Sequence, residues 1–209
     1  MIDFYTWSTP NGLKVSILLE ELGVPYKVHP INLEKNEKLH SKFLQATPFK
    51  KVPAIFDNET GVGLFESGAI LLYLADKNKK FLPSELTGYW QTVQWLMWQM
   101  AGLGPIAGQA HHFVKIKPDK SQYATNHYVA AVKNLYGILD RHMENKDYIN
   151  EEYTIADISC WPWVSRFEWQ NVDLKNFPNV RRWYNHMATR PAVQRAYQIP
   201  IPMGGIPVG

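Results

Sequence analysis

One thiol is all that this chain has: Cys160, among 209 residues. That excludes an intrachain disulfide and the Cys-x-x-Cys pair of dithiol redox chemistry. Any redox activity must borrow its sulfur from a ligand. Long apolar runs are missing too, since no stretch reaches the roughly 18 residues that a membrane-spanning helix needs. The N-terminus carries no basic n-region, apolar h-region or cleavage site, because Ile2 already opens a strand pattern. The expectation is a cytoplasmic protein without membrane contact, in which the Asn58-Glu59-Thr60 sequon is a chance match. Charge of one sign is also scarce. The net charge is +3, and the densest basic groups, at 77–80 and Arg181-Arg182, are short. No nucleic-acid partner is expected from so mild a pattern.

What the chain does have is apolar and aromatic residues. Hydrophobic residues make up 45%, with eight Trp and eleven Tyr, enough for a substantial core in one large domain or two small ones. Residues 1–77 alternate between strand and helix signals. Strands are expected at Ile2–Thr6 and Tyr26–Leu33, and helices at Leu13–Leu22, stopped by Gly23, and at Glu37–Leu44. A hairpin turning at 58–61 joins Pro53–Asp57 to Gly63–Phe65, and a helix follows over Ser67–Lys77. That order is the one found in the thioredoxin-like fold. Residues 78–86 are polar, contain Pro83 and read as a linker. Residues 87–209 read as an all-helical domain that ends in an extended tail rich in Pro and Gly. Long helices are expected at Trp90–His112, perturbed by Gly102, Gly104 and Pro105, and at Tyr123–Glu144. Thr154-Ile155-Ala156-Asp157 is a capping-box variant at the start of another helix. Further helices cover Val180–Thr189 and the segment opened by Pro191.

Three short segments carry the chemistry. Thr9-Pro10-Asn11-Gly12 sets a hydroxyl and a carboxamide at a strand-to-helix turn, where backbone N–H groups and the helix dipole favour an anion. The same residues are also good turn formers. Lys51-Val52-Pro53 stands at the start of a strand. Glu66-Ser67 opens a helix, where Ser67 can act simply as a cap or can offer its hydroxyl and N–H to a carboxylate. His111-His112 raises the question of a metal, but adjacent His side chains diverge on a helix and no third ligand stands at a suitable spacing. No metal site is expected; one of the two histidines is packed and the other faces the cleft. Cys160, between Ser159 and Trp161, reads as a buried small apolar residue.

Together with Leu64–Tyr73, Trp95–Phe113 and Thr154–Trp163, these segments resemble the cytosolic glutathione transferases, and within them the bacterial Nu class, along essentially the whole chain. The resemblance implies an α/β thioredoxin-like N-terminal domain, an all-α C-terminal domain, and a twofold homodimer. It implies that Val52-Pro53 is cis and that the Val52 backbone pairs with glutathione as a strand would. Glu66 would accept from the γ-glutamyl ammonium while Ser67 holds its carboxylate. Thr9 and Asn11 would face the glutathione sulfur, with Ser8 beside them as an alternative. Lys51, with Lys38 and His40 behind it, would hold the glycine carboxylate. In this class a basic residue of the partner's second domain also reaches glutathione; His127 occupies that position here, where an arginine is usual.

Three activities share those contacts. Glutathione thiolate can reduce a small disulfide, or it can be conjugated to an electrophile; the protein can also bind glutathione without catalysis, as a regulator. The absence of a catalytic Tyr or Cys in the Thr-Pro-Asn-Gly turn favours disulfide reduction, with glutathione as co-substrate.

Overall fold

A computed structural model describes residues 1–32 and 41–209. The chain divides into two compact units. The first comprises Met1–Lys80 with Arg190–Ile206, and the second Phe81–Thr189 with Pro207–Gly209.

The first unit is built on a four-stranded mixed sheet of order β2-β1-β3-β4. Strand β1 (Ile2–Thr6) is central and buried throughout. It runs parallel to β2 (Tyr26–Pro30) and antiparallel to β3 (Ala54–Asp57), which pairs in turn with β4 (Val62–Phe65). Helix α1 (Pro10–Leu22) joins β1 to β2, and α3 (Ser67–Asn78) follows β4 and packs beside α1. Buried Val15, Leu18, Leu19, Ile70, Leu71 and Leu74 supply the apolar faces of these two helices. Helix α2 (Ser41–Ala46) contributes Phe43 and Ala46 to a second cluster with Tyr5, Ile31 and Ala54. This is the thioredoxin-like architecture read from the strand and helix order.

Helix α1 begins three residues before the expected Leu13, because Thr9 caps it and Pro10 takes its first position. Gly23 ends it in the left-handed region, at φ 66°. The helix expected from Glu37 and the end of the strand expected to reach Leu33 fall partly outside the described residues.

The second unit is helical. Helix α4 (Leu86–Trp98), capped by Glu85, passes through a π-helical turn at Gln99–Leu103 into α5 (Gly104–His111) and a second π turn at His112–Ile116. The expected long helix is therefore interrupted around Gly102, Gly104 and Pro105. A proline has no N–H for the normal helical ladder, and the wider turn before it accommodates that loss. Helix α6 (Gln122–His142), α7 (Ile155–Val164) and α8 (Pro178–Ala188) complete the bundle. At the start of α7 the capping box forms: Thr154 Oγ1 accepts the Ala156 N–H, and Asp157 Oδ2 accepts the Thr154 N–H at 3.0 Å. Asp157 is fully buried and also accepts from the Ile149 N–H and Trp183 Nε1, tying a loop and α8 to the helix.

Helix α9 (Pro191–Ala196) departs from the expected single helical domain over 87–209, because it belongs to the first unit. It packs on α1, where Arg190 pairs with Glu21 at 2.7 Å and Arg195 with Glu20 at 2.5 Å. No helix of the described residues is long and apolar enough to cross a membrane.

Candidate functional site

The turn after β1 is fixed residue by residue. Thr9 has extended backbone and its Oγ1 accepts the Gly12 N–H at 3.1 Å. Pro10 needs no N–H partner at the first helical position, and half-buried Asn11 follows it. Gly12 is set by space, since a Cβ there would lie 2.4 Å from both Thr6 Oγ1 and the Trp7 carbonyl oxygen.

The second segment reaches β3 through a cis Val52–Pro53 bond. The strand begins only at Ala54, so the Val52 backbone lies outside the ladder. The third segment is the entry to α3. Glu66 precedes the helix with φ 66° and ψ 113°, a sparsely populated positive-φ conformation that costs a non-glycine residue about 1–3 kcal/mol. Its side chain makes no capping bond, so the helix alone does not account for that backbone. Ser67, the first helical residue, is buried.

These segments converge. Asn11, Lys51, Val52, Pro53, Glu66 and Ser67 line one open cleft of about 150 Å³ in the first unit, together with Thr47, Phe49 and Phe65. Lys51 lies over the exposed Phe49 ring, 4.8 Å from its centre. Thr9 is not among the lining residues; it acts on this turn as the cap of α1. His127 lies on α6 in the second unit, exposed and stacked on Tyr123 with ring centres 6.2 Å apart. Lys38 and His40 lie outside the described residues.

One residue that lines the cleft and one bonded to its wall carry no clear signal in the sequence. Lys14 sits within the apolar run of α1 and is 1% exposed, yet its Nζ donates to Ser67 Oγ at 3.1 Å. Thr47 lines the cleft, is 1% exposed, and its hydroxyl has no hydrogen-bond partner among the described residues. Thr47 precedes Pro48, so in the sequence it reads only as part of a turn.

The electrostatics suit a zwitterion. The N-terminus of α3, Ser67 and the Lys14 ammonium favour a carboxylate, and the Glu66 carboxylate beside them favours an ammonium. Lys51 offers a second cationic contact. Tyr5 is not part of the cleft. It is fully buried, stacked on His29 at 4.7 Å, and burial pushes its phenol up to about 12.

Several other polar or nucleophilic groups among the described residues are packed or paired within the fold. His111 is the packed histidine of its pair. It lies beside Trp163, 3.2 Å from Gln170 Nε2, and burial first, then Arg166, pushes it down to about 4. His112 is exposed. Cys160 is fully buried. A further cleft of about 120 Å³ between Ile2, Pro25 and Leu74 contains Asp57, Glu59 and Lys77, which are already paired with one another.

The first unit is thus a thioredoxin-like domain with an open cleft beside Val52-Pro53, whose lining carries the Glu66 carboxylate, the Lys51 ammonium and the Ser67 hydroxyl. Comparison with known proteins makes the class specific. Residues 2–76 match the family model described as glutathione S-transferase, N-terminal domain, and residues 103–191 the corresponding C-terminal domain. The chain belongs to the glutathione S-transferase family. The disulfide-bond oxidoreductase YfcG of Escherichia coli is 42% identical over 202 residues, covering 94% of each chain. The disulfide-bond oxidoreductase YghU of the same organism is 34% identical over 93% of this chain and 73% of its own. Among solved structures, a glutathione transferase from Pseudomonas putida with one glutathione disulfide bound per subunit matches with TM-score 0.89. Its identity is 39%, over 95% of this chain and 91% of its own. One from Burkholderia graminis, with two glutathione molecules per subunit, gives TM-score 0.87 at 39% identity, over 95% and 88%.

Proposed function

We propose that the protein binds glutathione in this cleft and uses its thiolate to reduce disulfides. One observation carries the reading: Asn11, Val52, Glu66 and Ser67 meet in a single cleft, on a chain whose one cysteine is fully buried. The reacting sulfur must come from the ligand. The names of the two Escherichia coli relatives and the glutathione disulfide held by the Pseudomonas putida protein support the same chemistry.

In this reading the Val52 backbone pairs with the cysteinyl residue of glutathione. Glu66 and Ser67 hold the γ-glutamyl ammonium and carboxylate, and Lys51, with Lys38 and His40, holds the glycine carboxylate. Thr9 and Asn11 stabilise the thiolate. A free thiol has a pKa near ~8.5, and lowering it by about two units requires roughly 2.7 kcal/mol of preference for the anion. Donors at a helix N-terminus can supply that. The Thr9 hydroxyl accepts the Gly12 N–H, which polarises it as a donor toward sulfur. The thiolate attacks one sulfur of the substrate disulfide, forming a mixed disulfide and releasing the other sulfur as a thiolate. A second glutathione thiolate then attacks the mixed disulfide, giving glutathione disulfide and the reduced substrate thiol.

The protein acts as a twofold homodimer in the cytoplasm, with His127 of each chain directed to its partner's glutathione. It needs no metal.

The test is the rate of 2-hydroxyethyl disulfide reduction by glutathione, coupled to glutathione reductase and NADPH consumption. A rate clearly above the uncatalysed exchange, unchanged in Cys160→Ala, is the expected result. A background rate would remove disulfide reduction and leave conjugation or binding without catalysis. A large loss in Cys160→Ala would overturn the mechanism.

A further inference from the structure

Burying a lysine is costly unless its charge is used. Lys14 is 1% exposed, and its ammonium lies 3.1 Å from Ser67 Oγ at the mouth of α3. Asn11 and Lys14 are three residues apart on α1 and therefore share a helix face. One line of side chains thus runs from the Asn11 carboxamide at the cleft to the ammonium beside Ser67.

The chemistry of the contact fixes its direction. A lysine ammonium carries three donors and no acceptor. Ser67 Oγ must therefore accept from Lys14, and its own proton points away from Nζ, toward another acceptor. Ser67 lines the cleft at the first position of α3, where the helix dipole already favours an anion. The geometry points to Lys14 as a positioning residue for the γ-glutamyl carboxylate. Its ammonium holds the Ser67 hydroxyl as a donor into the cleft and sets that end of the cleft to select an α-amino acid carboxylate. The inference rests on the glutathione reading above.

The test compares two peptides by calorimetry on the full-length protein. One is glutathione; the other is 4-aminobutanoyl-cysteinylglycine, the same peptide without the γ-glutamyl carboxylate. Wild type should bind glutathione the more tightly. Lys14→Met keeps the packing and removes the charge. It should weaken glutathione at least tenfold and leave the decarboxylated peptide within twofold of wild type. In turnover the loss should appear in KM for glutathione, with kcat at saturation within twofold. In a Ser67→Ala background, Lys14→Met should change the glutathione Kd by less than twofold, because the lysine acts through the serine. Lys14→Gln serves the same comparison if Lys14→Met does not fold. Equal weakening of both peptides would make Lys14 a merely structural residue and overturn the inference, as would an unchanged glutathione Kd. If wild type binds neither peptide, the glutathione reading itself fails, and this inference with it.

Discussion

Lys77 of α3 places its Nζ 2.6 Å from Asp57 Oδ2 at the end of β3, joining helix to sheet through a carboxylate with no exposed surface. The Tyr73 hydroxyl donates to the same oxygen at 2.7 Å, and the Glu59 N–H donates to Oδ1. Burial by itself would raise this carboxyl. The bonds from Lys77, Tyr73 and Glu59 outweigh that and hold it at about 2. The folded protein therefore binds this proton less tightly than the unfolded chain, whose value is 3.8. Asp57 stabilises the fold fully above about pH 4, and the contribution is lost as pH falls toward 2. Asp57→Asn should lose about 2 kcal/mol at neutral pH, and the gap from wild type should close between about pH 4 and 2. Urea unfolding across that range reads the gap directly. A gap independent of pH would assign the loss to packing instead.

Asn11 and Thr9 should separate in their effects. Asn11 lines the cleft, and Thr9 caps α1. Asn11→Ala should lower kcat for disulfide reduction by roughly a hundredfold, the usual loss for one donor at a developing anion, with little change in melting temperature. Thr9→Ala should lower both kcat and stability, the latter by about 1 kcal/mol for the lost cap. Thr9→Ser should restore both. The double alanine variant should retain most of its glutathione affinity while turnover collapses. Loss of glutathione binding would move these two residues from the sulfur to the peptide.

Thr47 gives the opposite signature. Its hydroxyl is buried without a partner among the described residues, in the wall of the cleft. An unsatisfied buried hydroxyl costs about 1–3 kcal/mol. Thr47→Val should therefore raise the melting temperature of the ligand-free protein and weaken glutathione several-fold, if the bound peptide supplies the missing partner. Thermal shift with and without glutathione separates the two effects. A variant that is stabilised equally in both conditions would remove Thr47 from the site.

How much of this was legible follows the range of the signals. The β1 strand, the Thr9 to Gly12 turn, the Val52-Pro53 entry to β3 and the start of α3 at Ser67 are written in residues a few positions apart. A capping residue, a proline and an alternating apolar pattern suffice to read them. The start of α1 was missed by three residues, because Pro10, Asn11 and Gly12 are turn formers as well as a helix's first turn. Lys14 was not legible, since one lysine among Leu13, Val15 and Ile17 reads as a surface charge. Only the packing of α3 against α1 turns it into a buried donor. The place of α9 was likewise hidden. Ala192, Val193 and Ala196 announce a buried face, but the pairing of Arg190 and Arg195 with Glu21 and Glu20 spans about 170 positions in sequence.

Gly12 tests whether the turn itself, and not only its polar side chains, shapes the site. A Cβ at this position would meet the Trp7 carbonyl oxygen and Thr6 Oγ1 at 2.4 Å. Neither is the flexible end of a long side chain: one is backbone, and the other belongs to a fully buried threonine on β1. Gly12→Ala must therefore push α1 away from β1 or twist the turn. Overpacking of this kind costs about 1–3 kcal/mol. Because Asn11 immediately precedes Gly12, the same shift should displace the carboxamide from the sulfur and lower kcat more than glutathione affinity. Chemical denaturation gives the first effect and steady-state kinetics the second. A Gly12→Ala variant as stable and as active as wild type would mean that β1 and α1 yield without cost, and that the site does not depend on their close approach.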